Sequence, residues 1–126
     1  MEFRLFTVSE IIELHDAVLN PSELDGLAKD VSLEGALARV DFRMHYNMIT
    51  DVYELAAMYA VAISQAQAFR DANKRTAHAA MKLVLKIHGI HLVLPAEEIG
   101  DIIIKTAQGH LDEVELSAWL RTQTQK

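Results

Sequence analysis

The chain has no cysteine among its 126 residues. That excludes a disulfide framework and a thiol nucleophile, and it fits a cytoplasmic protein. Basic residues are not in excess either: 12 Lys and Arg stand against 18 Asp and Glu, a formal charge of −6. Broad nucleic-acid binding needs a basic face. Direct nucleic-acid contact is therefore not expected, and the acidity reads as plain solubility, with room left for a local basic pocket. No apolar run is long enough to span a bilayer, so no membrane partner is expected. Glu2, Glu10, Glu13 and Asp16 interrupt the first 20 residues, so a signal peptide is not expected. Repeats, low-complexity tracts and interdomain linkers are lacking. Among the six histidines no pair has the spacing of a zinc-binding helix motif.

What is present is a helical pattern over a chain that is 51% apolar. The length suits one domain, residues 1–126, able to bury roughly two-thirds of its unfolded surface. Thr7 and Glu10 form a capping-box pattern before Val8, Ile11, Ile12, Val18 and Leu19, predicting a first helix that ends near Asn20-Pro21. Residues 20–31, with Pro21, Gly26 and several acids, read as a loop. Ser32 caps a second helix running to about Tyr46. Asp51 and Glu54 open a third, apolar nearly all round and therefore buried, that runs to about Ala66. A fourth helix reaches His88, with Gly89 as its C′ residue. His91–Leu94 is short and extended. Pro95 fits the first position of a fifth helix, although Ile102-Ile103-Ile104 favours a strand. Asp112 and Glu115 cap a sixth. The expectation is an all-α, compact bundle of about six helices.

The most informative stretch is Phe69-Arg70-Asp71-Ala72-Asn73-Lys74-Arg75-Thr76-Ala77. Asp71 reads as the N-cap of the fourth helix. Asn73, Lys74 and Arg75 then fall in its first turn, among backbone N–H groups that lack intrahelical partners. Cations there oppose the helix dipole by a few tenths of a kcal/mol each at exposed sites. Their placement points to a bound anion, and free N–H groups, a dipole and a guanidinium together suit phosphate. Asp71 offers a hard oxygen for Mg²⁺. Asn73 is a mediocre helix former and fits a ligand role. Phe69 reads as a core plug and His15 as a satisfied core histidine. His78, one turn after Lys74, is close enough to approach the site but is read as lying outside it.

The run resembles the core motif of the Fic/Doc family, His-x-Phe-x-Asp/Glu-Ala/Gly-Asn-Lys/Gly-Arg. It matches at Phe69, Asp71, Ala72, Asn73, Lys74 and Arg75, in the Ala-Asn-Lys-Arg form of the Doc (death-on-curing) branch. Leu14-His15-Asp16 and the stretch 33–39 also resemble Doc. The resemblance implies the Fic fold and a toxin of a toxin–antitoxin module. Such a toxin is a kinase that transfers phosphate from ATP to a threonine of elongation factor Tu and stops translation. By that resemblance Asp71 handles Mg²⁺, and Asn73, Lys74 and Arg75 hold the nucleotide phosphates. The expected partner is an antitoxin whose disordered C-terminal segment folds as a helix on the toxin. The inhibitory Ser/Thr-x-x-x-Glu-Gly segment carried by some Fic proteins is not found here.

One position departs. The family's catalytic base is His, and here the position is Gln67, whose amide cannot take a proton near neutral pH. The chain is expected to be impaired. The undamaged remainder of the motif favours a His replaced to make a toxic protein harmless over a natural degenerate copy. Two alternatives stand beside the kinase: AMP transfer, against which Lys74 argues, and a non-catalytic module that binds antitoxin or nucleotide.

Overall fold

Six helices carry the chain: α1 (Val8–Val18), α2 (Leu33–His45), α3 (Val52–Ala66), α4 (Asn73–Ile87), α5 (Ala96–Ala107) and α6 (Glu113–Thr122). This computed structural model describes residues 3–125. Its extended structure amounts to β1 (His91–Leu92) paired antiparallel with β2 (Thr124–Gln125), so the all-α expectation holds. Among the described residues no helix is long and apolar enough to cross a membrane.

Local chemistry sets most helix starts. Thr7 and Asp112 each form a reciprocal capping box, with Glu10 and Glu115 respectively, and Ser32 caps α2 through the Gly35 N–H. Asp51 caps α3 by accepting from the Glu54 N–H at 2.8 Å. The predicted box is only half made there, because the Glu54 carboxylate turns back to Thr50 instead. The second Asp51 oxygen takes Arg121 of α6 at 2.8 Å.

Two boundaries differ from the pattern, and one doubtful stretch follows it. Helix α1 ends at Val18, since Leu19 is already extended. Pro95 sits just before α5 rather than at its first position, its carbonyl accepting from Glu98 and Ile99. The β-favouring Ile102–Ile104 run is helical: Ile99, Ile103 and Thr106 form one buried face, and that packing outweighs intrinsic preference.

Helix α3 is the axis of the core and packs against α2, α4, α5 and α6. Leu55, Met58, Ile63, Met81 and Leu85 are almost wholly buried. Each contributes roughly 1.5–3 kcal/mol by leaving water. Tyr59 is buried too, and burial pushes its phenol up to about 12. Its hydroxyl accepts from the Phe6 N–H at 2.7 Å, fastening the segment before α1 to α3. The turn from α3 to α4 is thus held between two packed helices.

Candidate active site at the start of helix α4

Residues 67–72 link α3 to α4. Gln67 ends α3 with φ 50° and Ala72 precedes α4 with φ 65°, both left-handed. For residues with a Cβ that conformation costs about 1–2 kcal/mol each, so the surroundings must over-determine it. They do so in three ways. The Asn73 side chain clamps the turn: its Oδ1 accepts from the Phe69 N–H at 3.0 Å and its Nδ2 donates to the Phe69 carbonyl at 2.9 Å. Phe69 is buried, and its ring stacks on His15 at 3.9 Å between centroids. Residues 26–28 of the α1–α2 loop pair with the turn, Ala28 N–H donating to Ala68 and Arg70 N–H to Gly26. Gly26 has φ 89°, which a residue with a Cβ rarely adopts.

The core-plug reading of Phe69 and the core reading of His15 both hold. His15 is fully buried, with Nε2 against the Asp71 carbonyl at 2.9 Å and Nδ1 against Asp16 at 3.1 Å.

Asp71 is not the N-cap. Ala72 holds that position, and no side chain caps α4. The Asp71 carboxylate instead turns toward the α1–α2 loop, where Oδ2 accepts from the Leu24 N–H at 2.8 Å. The left-handed Ala72 between Asp71 and the helix puts the carboxylate out of line with the first turn. Its Oδ1 has no hydrogen bond among the described residues and is available to a metal. Thr76 repeats its backbone bond to the Ala72 carbonyl with its hydroxyl, at 2.7 Å, so the helix start is tied without a cap. The first turn contains no acid.

Gln67, Asp71, Asn73, Lys74 and Arg75 line one cavity of about 430 Å³, together with Glu23, Ser64, Arg70, Ala72, His78, Gly100, Ile103 and Ile104. The structure thus brings together every residue singled out as catalytic, metal- or phosphate-binding. It also adds two that the sequence reading missed or set aside. His78 lies in the wall. Glu23 reaches in from the α1–α2 loop and grips Arg75 with both oxygens, at 2.7 and 3.2 Å. The same guanidinium donates to the Val18 carbonyl at 2.9 Å. The Arg75 guanidinium and the Asn20 N–H hold the Glu23 carboxyl below its ordinary range, and Glu23 in turn raises Arg75. Nothing in the sequence marks Glu23, since an acid in an irregular loop is an ordinary solvated residue.

A helix start with free N–H groups, no cap, two cations and a neighbouring carboxylate inside a cavity can hold a phosphate and a divalent metal. The sequence profile of the Fic/DOC family matches residues 5–85. The chain belongs to the Fic/DOC family. It is 34% identical over 119 residues to the protein of Escherichia phage P1 named Protein kinase doc, covering 94% of each chain. The family match runs from before α1 to Leu85 in the last turn of α4, so it contains the α1–α2 loop as well as the motif turn. Within this Fic/DOC frame the Ala72–Arg75 turn sits on the two helices that form the heart of the core.

Proposed function

We propose that the chain is a Doc-type toxin of a toxin–antitoxin module, a cytoplasmic protein kinase that moves phosphate from ATP to a Thr or Ser hydroxyl of a translation factor, elongation factor Tu. The observation that carries this is the uncapped first turn of α4, flanked by Lys74 and Arg75, opening on the cavity that also contains Gln67. The name of the phage P1 relative supports the kinase class.

The residues fit Mg²⁺ and ATP in kind. Backbone N–H groups at the start of α4 and the Lys74 ammonium bind phosphate oxygens. Arg75 joins them once Glu23 lets go of its guanidinium. Asn73, both of whose amide atoms are engaged with Phe69, serves by fixing the turn and presenting its own N–H. Asp71 offers Mg²⁺ the carboxylate oxygen not bonded to Leu24. Bound Mg²⁺ and ATP supply the transferable phosphoryl group and neutralise charge developing on it. Gln67 can hold an acceptor hydroxyl by a hydrogen bond but cannot remove its proton. The chain as it stands is therefore impaired, and neutralisation of the active form falls to an antitoxin segment that folds on the toxin.

Gln67 is also the observation that favours a second reading, a binding module without catalysis. Expression of Gln67→His without antitoxin separates the two. A general base is commonly worth about 10² to 10⁴ in rate, so the His form should arrest growth where the parent does not. A His form as harmless as the parent at equal soluble expression would leave the toxin reading without support.

A further inference from the structure

His78 stands on the second turn of α4, three residues after Arg75 and four after Lys74, which puts all three along one side of the helix. It forms part of the cavity wall beside Ser64 and Gln67 of α3 and Gly100, Ile103 and Ile104 of α5. Its Nε2 is buried without a hydrogen-bond partner, the one side-chain nitrogen or oxygen of that kind among the described residues. Folded proteins pair nearly all such atoms, so a ring whose buried nitrogen finds no protein partner gains a hydrogen bond by turning that nitrogen to a ligand in the adjacent cavity.

The charges around it explain its resting state. Burial pushes the His78 imidazole below its ordinary range, and Lys82, one turn further along α4, pushes the same way. Lys74 and Arg75 on α4 and Arg70 in the motif turn add positive charge to the cavity. Asp71 and the α1–α2 loop's Glu23 add negative charge, but Glu23 is spent on Arg75. The α3 and α5 residues of the wall are uncharged. A neutral imidazole is the outcome while the cavity has no ligand. A polyphosphate reverses the balance by bringing several negative charges to the same place.

We propose that His78 is a nucleotide-binding residue: when a polyphosphate enters the cavity, Nε2 takes up a proton from solvent and donates it in a charge-assisted hydrogen bond to a phosphate oxygen. The inference rests on the cavity being the nucleotide site. It requires the ring to turn about its Cβ–Cγ bond so that Nε2 faces the ligand. Binding of nucleotide is then coupled to the uptake of a proton, and the grip tightens as pH falls through the neutral range.

The test is calorimetric titration of the full chain with MgATP between pH 6.5 and 8, in two buffers of different ionisation enthalpy. His78→Gln and His78→Arg are titrated in parallel. Proton exchange by ATP itself is common to all three and cancels in the differences. The parent should take up more protons than His78→Gln, by up to one per site. The affinity ratio of parent to His78→Gln should grow as pH falls, by at most about tenfold per pH unit for one linked proton. His78→Arg carries a permanent cation, so it should bind at least as well as the parent and lose the extra proton uptake. Equal proton counts and parallel pH slopes in parent and His78→Gln would overturn the proposal while leaving the nucleotide site standing. Absence of binding to all three proteins would overturn the nucleotide site and this proposal with it.

Discussion

Helices α3 and α4, with the turn between them, line most of the cavity on a buried hairpin, whereas residues 20–28 reach it through Glu23, on a loop with no helix or strand of its own. On the hairpin side Phe69 is 3% exposed and the motif turn is fixed by packing and by the Asn73 clamp. On the loop side Leu24 and Leu27 are about half exposed. The loop is held by a few hydrogen bonds and the Glu23–Arg75 pair. The difference assigns separate tasks. The hairpin fixes the cradle's shape through packing and the Asn73 clamp. The loop engages two of the cradle's side chains, one oxygen of Asp71 through the Leu24 N–H and Arg75 through Glu23, and the second is a partly exposed ion pair of the weak kind that a ligand can replace. Loop segments draw on the low-stability end of a fold, which suits them to that exchange.

Breaking the hairpin side should have the largest effect. Phe69→Ala removes a buried ring together with its stacking on His15, and a change of that kind costs about 3–5 kcal/mol. Chemical denaturation should show that loss, with nucleotide binding falling in step as the turn loosens. If stability is nearly unchanged, the turn is held by something other than packing.

Removing the shared cation is next. On the proposed reading Arg75→Ala deletes a charge-assisted phosphate contact, on the order of 1.5–3 kcal/mol in general. The site is open and Arg75 must first leave Glu23, so the lower end applies here. Titration with MgATP should read roughly tenfold weaker binding. Equal affinity in both proteins would place the phosphates away from Arg75.

The smallest effect should come from the loop alone, and it should have the opposite sign. Glu23→Gln withdraws the competing carboxylate, so nucleotide should bind about two- to fivefold more tightly, the scale of an exposed ion pair. The folded-state value of Glu23 is lowered, so its pairing is fully present at neutral pH. The pairing is lost only as pH falls through that lowered value. The gain from Glu23→Gln should therefore be constant across the neutral range, unlike the contribution argued for His78. Weaker binding in Glu23→Gln would make the pair a structural support rather than a competitor.

The same division explains what could be read from the sequence. Helices α3 and α4, their lengths and the placing of Lys74 and Arg75 in a first turn follow from local periodicity and spacing. Asp71 reads as the cap of α4 because Asp is a good cap. The left-handed Ala72 and the distant Leu24 N–H overrode that local preference, and no local rule contains either. Glu23 meets Arg75 across 52 residues of sequence, in a loop without periodicity, and is visible only once the chain is folded. His78 lay between these cases. Its spacing from Lys74 puts it on the right side of the helix, but the buried, unpartnered nitrogen that gives it meaning is a property of the folded chain.

On the proposed reading this cradle presents the γ-phosphate of ATP, because Lys74 stands where the resemblance to Fic/Doc motifs puts a glycine in the AMP-transferring branch. That reading is tested by giving the Gln67→His form a bacterial lysate and ATP labelled separately at the α and γ positions. Label should reach a protein target from the γ position alone, with a mass gain of one phosphate. Label from the α position, with a mass gain of one AMP, would contradict the account and make the chain an adenylyl transferase.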